Sequence, residues 1–164
     1  MESLSFDLFQ VLERQREILK EMLIAARNHN HALRQNDIVI LKEIIGREEK
    51  ISTRLQVEER QREQLQKALG RKLDLPEDAP LSKMLPSLPL KQSAKLCELT
   101  TEMRNIAAEI VRLVELNRVL TREAMHFNER LLKLLKPIHN NTYQPDGKSA
   151  SPVNCSSSLI NKIV

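Results

Sequence analysis

From Leu96 to Leu134 apolar side chains recur at Leu96, Leu99, Met103, Ile106, Ile110, Leu113, Leu120, Phe127, Leu131 and Leu134, with Asn117 and Ala124 at the two remaining positions of the stripe. The spacing alternates three and four, a heptad a/d seam, and predicts one long amphipathic helix. No Gly or Pro lies between Leu90 and Lys136, so this helix, predicted over 91–136, runs unbroken to Pro137. At 1.5 Å per residue the seam alone spans about 57 Å. A stripe that long needs a cover, supplied by the rest of the chain or by a partner.

Upstream, Leu8, Val11, Gln15, Ile18, Met22, Ala25, His29 and Ala32 keep the same alternation, with Leu12, Leu19, Leu23, Ala26 and Leu33 alongside. Two adjacent stripes suit a helix that packs on two neighbours. It is predicted over 3–34, with Ser3 or Ser5 as its N-cap. The pattern stops around Arg34 to Asp37, and Asn36 or Asp37 can cap a second helix over 37–70. So short a connection makes the two helices antiparallel neighbours. The second helix carries Ile38, Leu41, Ile44, Ile45, Ile51, Leu55, Leu65 and Leu69 on its seam. Glu48, Glu58 and Arg62 occupy seam positions too, leaving its middle and distal parts thinly apolar. Gly70 is the expected C-terminal stop.

Pro76, Pro80, Pro86 and Pro89 mark a connector over 71–90. Leu81 to Leu85 can form one helical turn after Pro80, and Leu81, Leu85, Leu88 and Leu90 can lie against the helices. The connector's length leaves the direction of the last helix open. The expected fold is all-α: an elongated antiparallel helical bundle or coiled coil of three long helices over 1–136. A flexible tail over 137–164 follows, polar and turn-rich except at Leu159, Ile160, Ile163 and Val164.

Composition narrows the function. Aromatics are confined to Phe6, Phe9, Phe127 and Tyr143, there is no Trp, and the net charge of +4 arises from 26 basic and 22 acidic residues with the two signs interleaved. Without a basic block or stacking rings, nucleic-acid binding is not expected. Cys97 and Cys155 stand far apart with no CxxC pairing, and they read as reduced thiols. His29 and His31, two positions apart on a helix, point about 200° apart and cannot share an ion. The glutamates, Glu17 and Glu21 among them, read as a solvated face partnered along the helix by Lys and Arg. No catalytic residues, metal ligands or cofactor site are expected, and an enzyme is not. The first residues carry no basic and apolar signal-like region, and no run approaches a membrane span, so a cytoplasmic protein without stable membrane insertion is expected.

Beside the seam of the last helix runs a weaker stripe of Ala107, Val111, Val114, Met125, Leu132 and Leu135, interrupted by Arg118, Thr121 and Asn128. Two readings stand open. The flank packs on the third member of a bundle, or part of it, Met125 to Leu135 especially, is a groove for a partner's amphipathic helix. Asn117, polar within the seam, either fixes register and partner geometry at a cost in stability or is satisfied locally.

Several segments together resemble the FlgN family of bacterial flagellar type III export chaperones over nearly the whole chain. They are the long helical hairpin; Glu48-Glu49-Lys50, followed by Arg60 and Arg62 and ending at Ala68-Leu69-Gly70; and the Leu- and Pro-rich connector. Leu116-Asn117-Arg118-Val119-Leu120 and the tail run from Tyr143 to Gly147 and Lys148 are the most specific of them. The resemblance implies a non-catalytic chaperone that captures the C-terminal amphipathic helices of the hook-associated proteins FlgK and FlgL. It would prevent their premature assembly and deliver them to the export gate protein FlhA. It places client binding on the last helix, at Asn117, Leu120, Met125, Phe127, Leu131, Leu132, Leu134 and Leu135, and export-gate docking at Tyr143 and Gly147. The free chain would be a monomer or weak dimer, transiently at the export gate. The alternative is a homo-oligomeric coiled-coil adaptor that uses the Leu96 to Leu134 seam to bind itself.

Overall fold

A computed structural model of the protein describes residues 2–76 and 78–135. Those residues are all-α, in the order α1 (Glu2–Gln35), α2 (Ile38–Lys72), α3 (Leu81–Met84), a 3-10 turn (Leu85–Ser87) and α4 (Leu90–Leu135). By internal packing the chain divides into two units, residues 1–124 and 125–164.

Within the first unit α1 is the central element. Leu8, Val11, Leu12, Gln15, Ile18, Ala25, Ala26 and Ala32 are all buried, as a double stripe facing two neighbours requires. Its start differs from the N-cap expectation. The helix already runs from Glu2, and Ser5 lies inside it, buried, with its hydroxyl donating to Gln92 Oε1 at 2.8 Å. At the other end Asn36 adopts the left-handed conformation, φ 54°. The Asn36 amide donates to the Leu33 carbonyl and the Asp37 amide to that of Ala32, which closes the helix. Asp37 then starts α2, its Oδ1 accepting from the Ile40 amide at 3.0 Å. A two-residue reversal therefore sets α2 antiparallel to α1.

The α1–α2 contact is apolar at two levels and polar elsewhere. Leu8, Leu12 and Leu69 belong to one buried cluster, and Ile18, Ala25 and Ile51 to another. Of the charged seam residues of α2, Glu48 meets His29 Nδ1 at 3.0 Å and Glu58 accepts from Arg14 Nε at 2.9 Å, while Arg62 stays within α2 and braces Glu59, which accepts from Gln15 Nε2 at 2.8 Å. Glu21, expected to pair along its own helix, instead accepts from Arg54 of α2. Ile38 and Ile45, placed on the seam by spacing, are exposed although this is the most apolar part of the α2 stripe.

Gly70 is not the helix stop. α2 continues to Lys72 and closes through Asp74, φ 54°, with the Leu75 amide donating to the Gly70 carbonyl at 3.0 Å. Gly70 instead allows a close approach: an added Cβ would lie 3.2 Å from Met84 Cε and 3.5 Å from the Pro76 carbonyl oxygen. The connector folds under the helix ends, burying Ala79, Met84 and Leu88 against Leu8, Leu12, Leu69, Leu96 and Leu99. Leu90, expected to lie against the helices, is exposed. Since α4 begins beside Ser5, it ascends parallel to α1. Arg16 and Lys20 reach Glu102, Arg27 reaches Glu109, and Asn30 reaches Asn117, in rising order along both helices.

Candidate functional site

Asn117 lies on the inner face of α4 and is 5% exposed. Its Nδ2 donates to the Ala26 carbonyl at 3.0 Å, and its Oδ1 accepts from Asn30 Nδ2 at 2.8 Å. Both polar atoms of the carboxamide are thus satisfied by α1, which fixes the α1–α4 register at this level. Asn30 is the partner that the apolar pattern passes over: it is a polar residue on the second α1 stripe, four positions after Ala26 and three before Leu33. Leu120, one turn further on, is half-buried. Its flanking residues Val111, Val114 and Val119 are exposed, so the weaker stripe has no cover over this part of α4.

In the second unit, every α4 residue from Met125 to Leu135 is exposed, including Met125, Phe127, Leu131, Leu132, Leu134 and Leu135. At 100° per residue Leu134, Phe127 and Leu131 fall within about 60° of one another, and Leu135, Leu132 and Met125 occupy roughly the adjacent 80°. About half of the helix circumference is therefore apolar and bare, interrupted there by Asn128 alone. His126, Glu129, Arg130 and Lys133 share the other half. One face for apolar contact and one for water is the arrangement by which a helix binds another helix. The export-gate positions Tyr143 and Gly147 lie outside the described residues.

Elsewhere the surface chemistry is ion pairing. An open groove of about 580 Å³ between α1 and α2 is lined by Glu13, Arg14, Arg16, Glu17, Arg54 and Glu58 among others. These charges are committed to one another. The hydrogen bond from Arg54 holds the Glu21 carboxyl below the usual carboxylate range, and the one from Lys20 does the same for Glu102. Among the described residues no group of three or more His, Cys, Asp or Glu is placed to hold a metal ion. No helix there is long and apolar enough to cross a membrane.

The described residues are thus all-helical and leave one apolar face of α4 bare. A model of the FlgN protein family matches residues 1–151, and the chain belongs to that family. It is a family of flagellar export chaperones, not of enzymes. No curated protein and no solved structure is found to match the chain.

Proposed function

We propose that this protein is a cytoplasmic export chaperone that captures the C-terminal amphipathic helices of FlgK and FlgL, keeps them from assembling early, and hands them to FlhA at the export gate. The observation that carries this reading is the bare apolar half of α4 between Met125 and Leu135. Client contact rests on Met125, Phe127, Leu131, Leu132, Leu134 and Leu135, and gate docking on Tyr143 and Gly147. A client segment that is disordered before capture gives up affinity to its own ordering, which keeps the complex releasable.

Isothermal titration of the full chain with the C-terminal helical segments of FlgK and FlgL tests the proposal. Saturable one-to-one binding with a negative heat-capacity change is expected, since apolar surface is buried. Leu132→Glu combined with Leu135→Glu should abolish that binding while leaving helicity unchanged, because both side chains are exposed. Absence of binding to either segment by protein that circular dichroism shows to be folded overturns the proposal. Sedimentation separates the coiled-coil adaptor: a tight homodimer at all concentrations would favour self-association over client capture.

A further inference from the structure

Within the first unit α4 is attached to α1 by two chemically different means. At its start Leu96 and Leu99 are buried in the apolar cluster with Leu8 and Leu12, and Met103 packs on the edge of that cluster. Beyond Met103, among the described residues, no α4 side chain belongs to a buried apolar cluster. Ile106, Ile110 and Leu113 are half-buried, and the next fully buried α4 side chain is Asn117, about 27 Å past Leu99 along the helix. Between lies the Arg27–Glu109 ion pair, exposed to solvent on both sides. The top of the contact is thus held by amide hydrogen bonds, to Ala26 and from Asn30.

Opening these two attachments has unequal consequences. Leucines leaving the base find nothing in water to replace what they lose. A hydrogen-bonded carboxamide and an exposed ion pair exchange protein partners for water at small net cost. Opening at the top is therefore opposed mainly by the half-buried Ile106, Ile110 and Leu113 and by Ala26, with no fully buried leucine among them.

We infer that residues 104–120 of α4 form a strap, hinged on the Leu96, Leu99 and Met103 clamp and latched by Asn117. Local opening from the top exposes the inner stripe of Ile106, Ile110 and Leu113 together with Ala26 of α1. A leucine at position 117, like its seam neighbours Leu113 and Leu120, would weld the strap shut. Asparagine keeps the register and leaves the closure reversible. The inference goes beyond the chaperone proposal and does not rest on it.

Spin labels test it in the full chain, with Cys97→Ser and Cys155→Ser removing the native thiols. One pair is placed at His31→Cys and Arg118→Cys beside the latch, the other at Asp7→Cys and Lys91→Cys beside the clamp, all at exposed positions. The latch pair should give a short and a longer interspin distance, and the clamp pair a single short one. Asn117→Leu should lower the longer population about tenfold, and Asn117→Ala should raise it. A latch pair as narrow as the clamp pair overturns the inference. So does a longer population that neither substitution shifts, or that both shift in the same direction, as loss of a merely structural contact would.

Discussion

Gln15 interrupts the α1 stripe between Leu12 and Ile18, yet it is as buried as they are. It can be so because its amide donates to Glu59, whose carboxylate also accepts from Arg62 at 2.8 and 2.6 Å. Arg62 in turn donates to Gln66, and Gln66 Nε2 to the Ala79 carbonyl at 2.9 Å, so the polar chain runs from α1 through α2 to the connector. The hydrogen bond from Arg62 is the largest influence on Glu59 and holds its carboxyl below the usual range, with the Gln15 bond acting the same way against a partial burial penalty. A carboxylate whose folded pKa is depressed contributes stability above its unfolded value, about 4.3, and that contribution is lost as pH falls through the lower folded value. Glu59→Gln should therefore melt below the wild type at neutral pH, with the gap closing as pH falls below about 4. Melts followed by far-ultraviolet circular dichroism across that range check this. A gap independent of pH would mean that the Glu59 charge does not contribute.

Among the elements, the connector departs furthest from a reading of sequence. One short turn after Pro80 is legible from Pro and Leu placement, and α3 is that turn. That Met84 within it is among the most completely buried side chains is not legible, because its pocket depends on the bare Gly70 backbone of α2. Truncating it removes a side chain shared by the ends of α1, α2 and α4. Met84→Ala is expected to cost about 2–5 kcal/mol in urea unfolding, whereas Leu90→Ala, at a position 87% exposed, should stay within about 0.5 kcal/mol. Equal effects would mean that the connector does not close the base. The described helices start at local signals, Asp37 capping α2 and Pro89 standing just before α4. Ser5 and Gly70 do not act as the expected N-cap and stop because each is used in a contact between elements, which local signals do not carry. The α4 seam illustrates the same gap. Its alternation is unchanged from Leu96 to Leu134, although Leu96 is buried and Leu134 is 80% exposed. Spacing marks a face and does not say what covers it.

For the whole molecule, the proposal gives different ends to the two segments that carry most of the resemblance to the family. Leu116 to Leu120 centres on Asn117, whose carboxamide is engaged with α1, so a sequence signal for function also encodes internal register. The run from Tyr143 to Lys148 follows the last described turn of α4 at short range in sequence. The proposal gives capture and delivery to separate residues, apolar side chains on α4 for the client and Tyr143 for the gate. A tyrosine brings a rigid apolar body and one hydrogen bond at low entropic cost, which suits a small docking anchor. Tyr143→Ala should then leave helicity and titration with the FlgK and FlgL segments unchanged while weakening binding of the client-loaded complex to the FlhA cytoplasmic domain. Pull-down and titration with that domain, beside the Leu132→Glu and Leu135→Glu variant, give the decisive comparison. Two variants defective in opposite steps would establish the division of labour. Loss of client binding in Tyr143→Ala would instead make the tyrosine part of the capture surface, and the bare half of α4 would no longer account for capture alone.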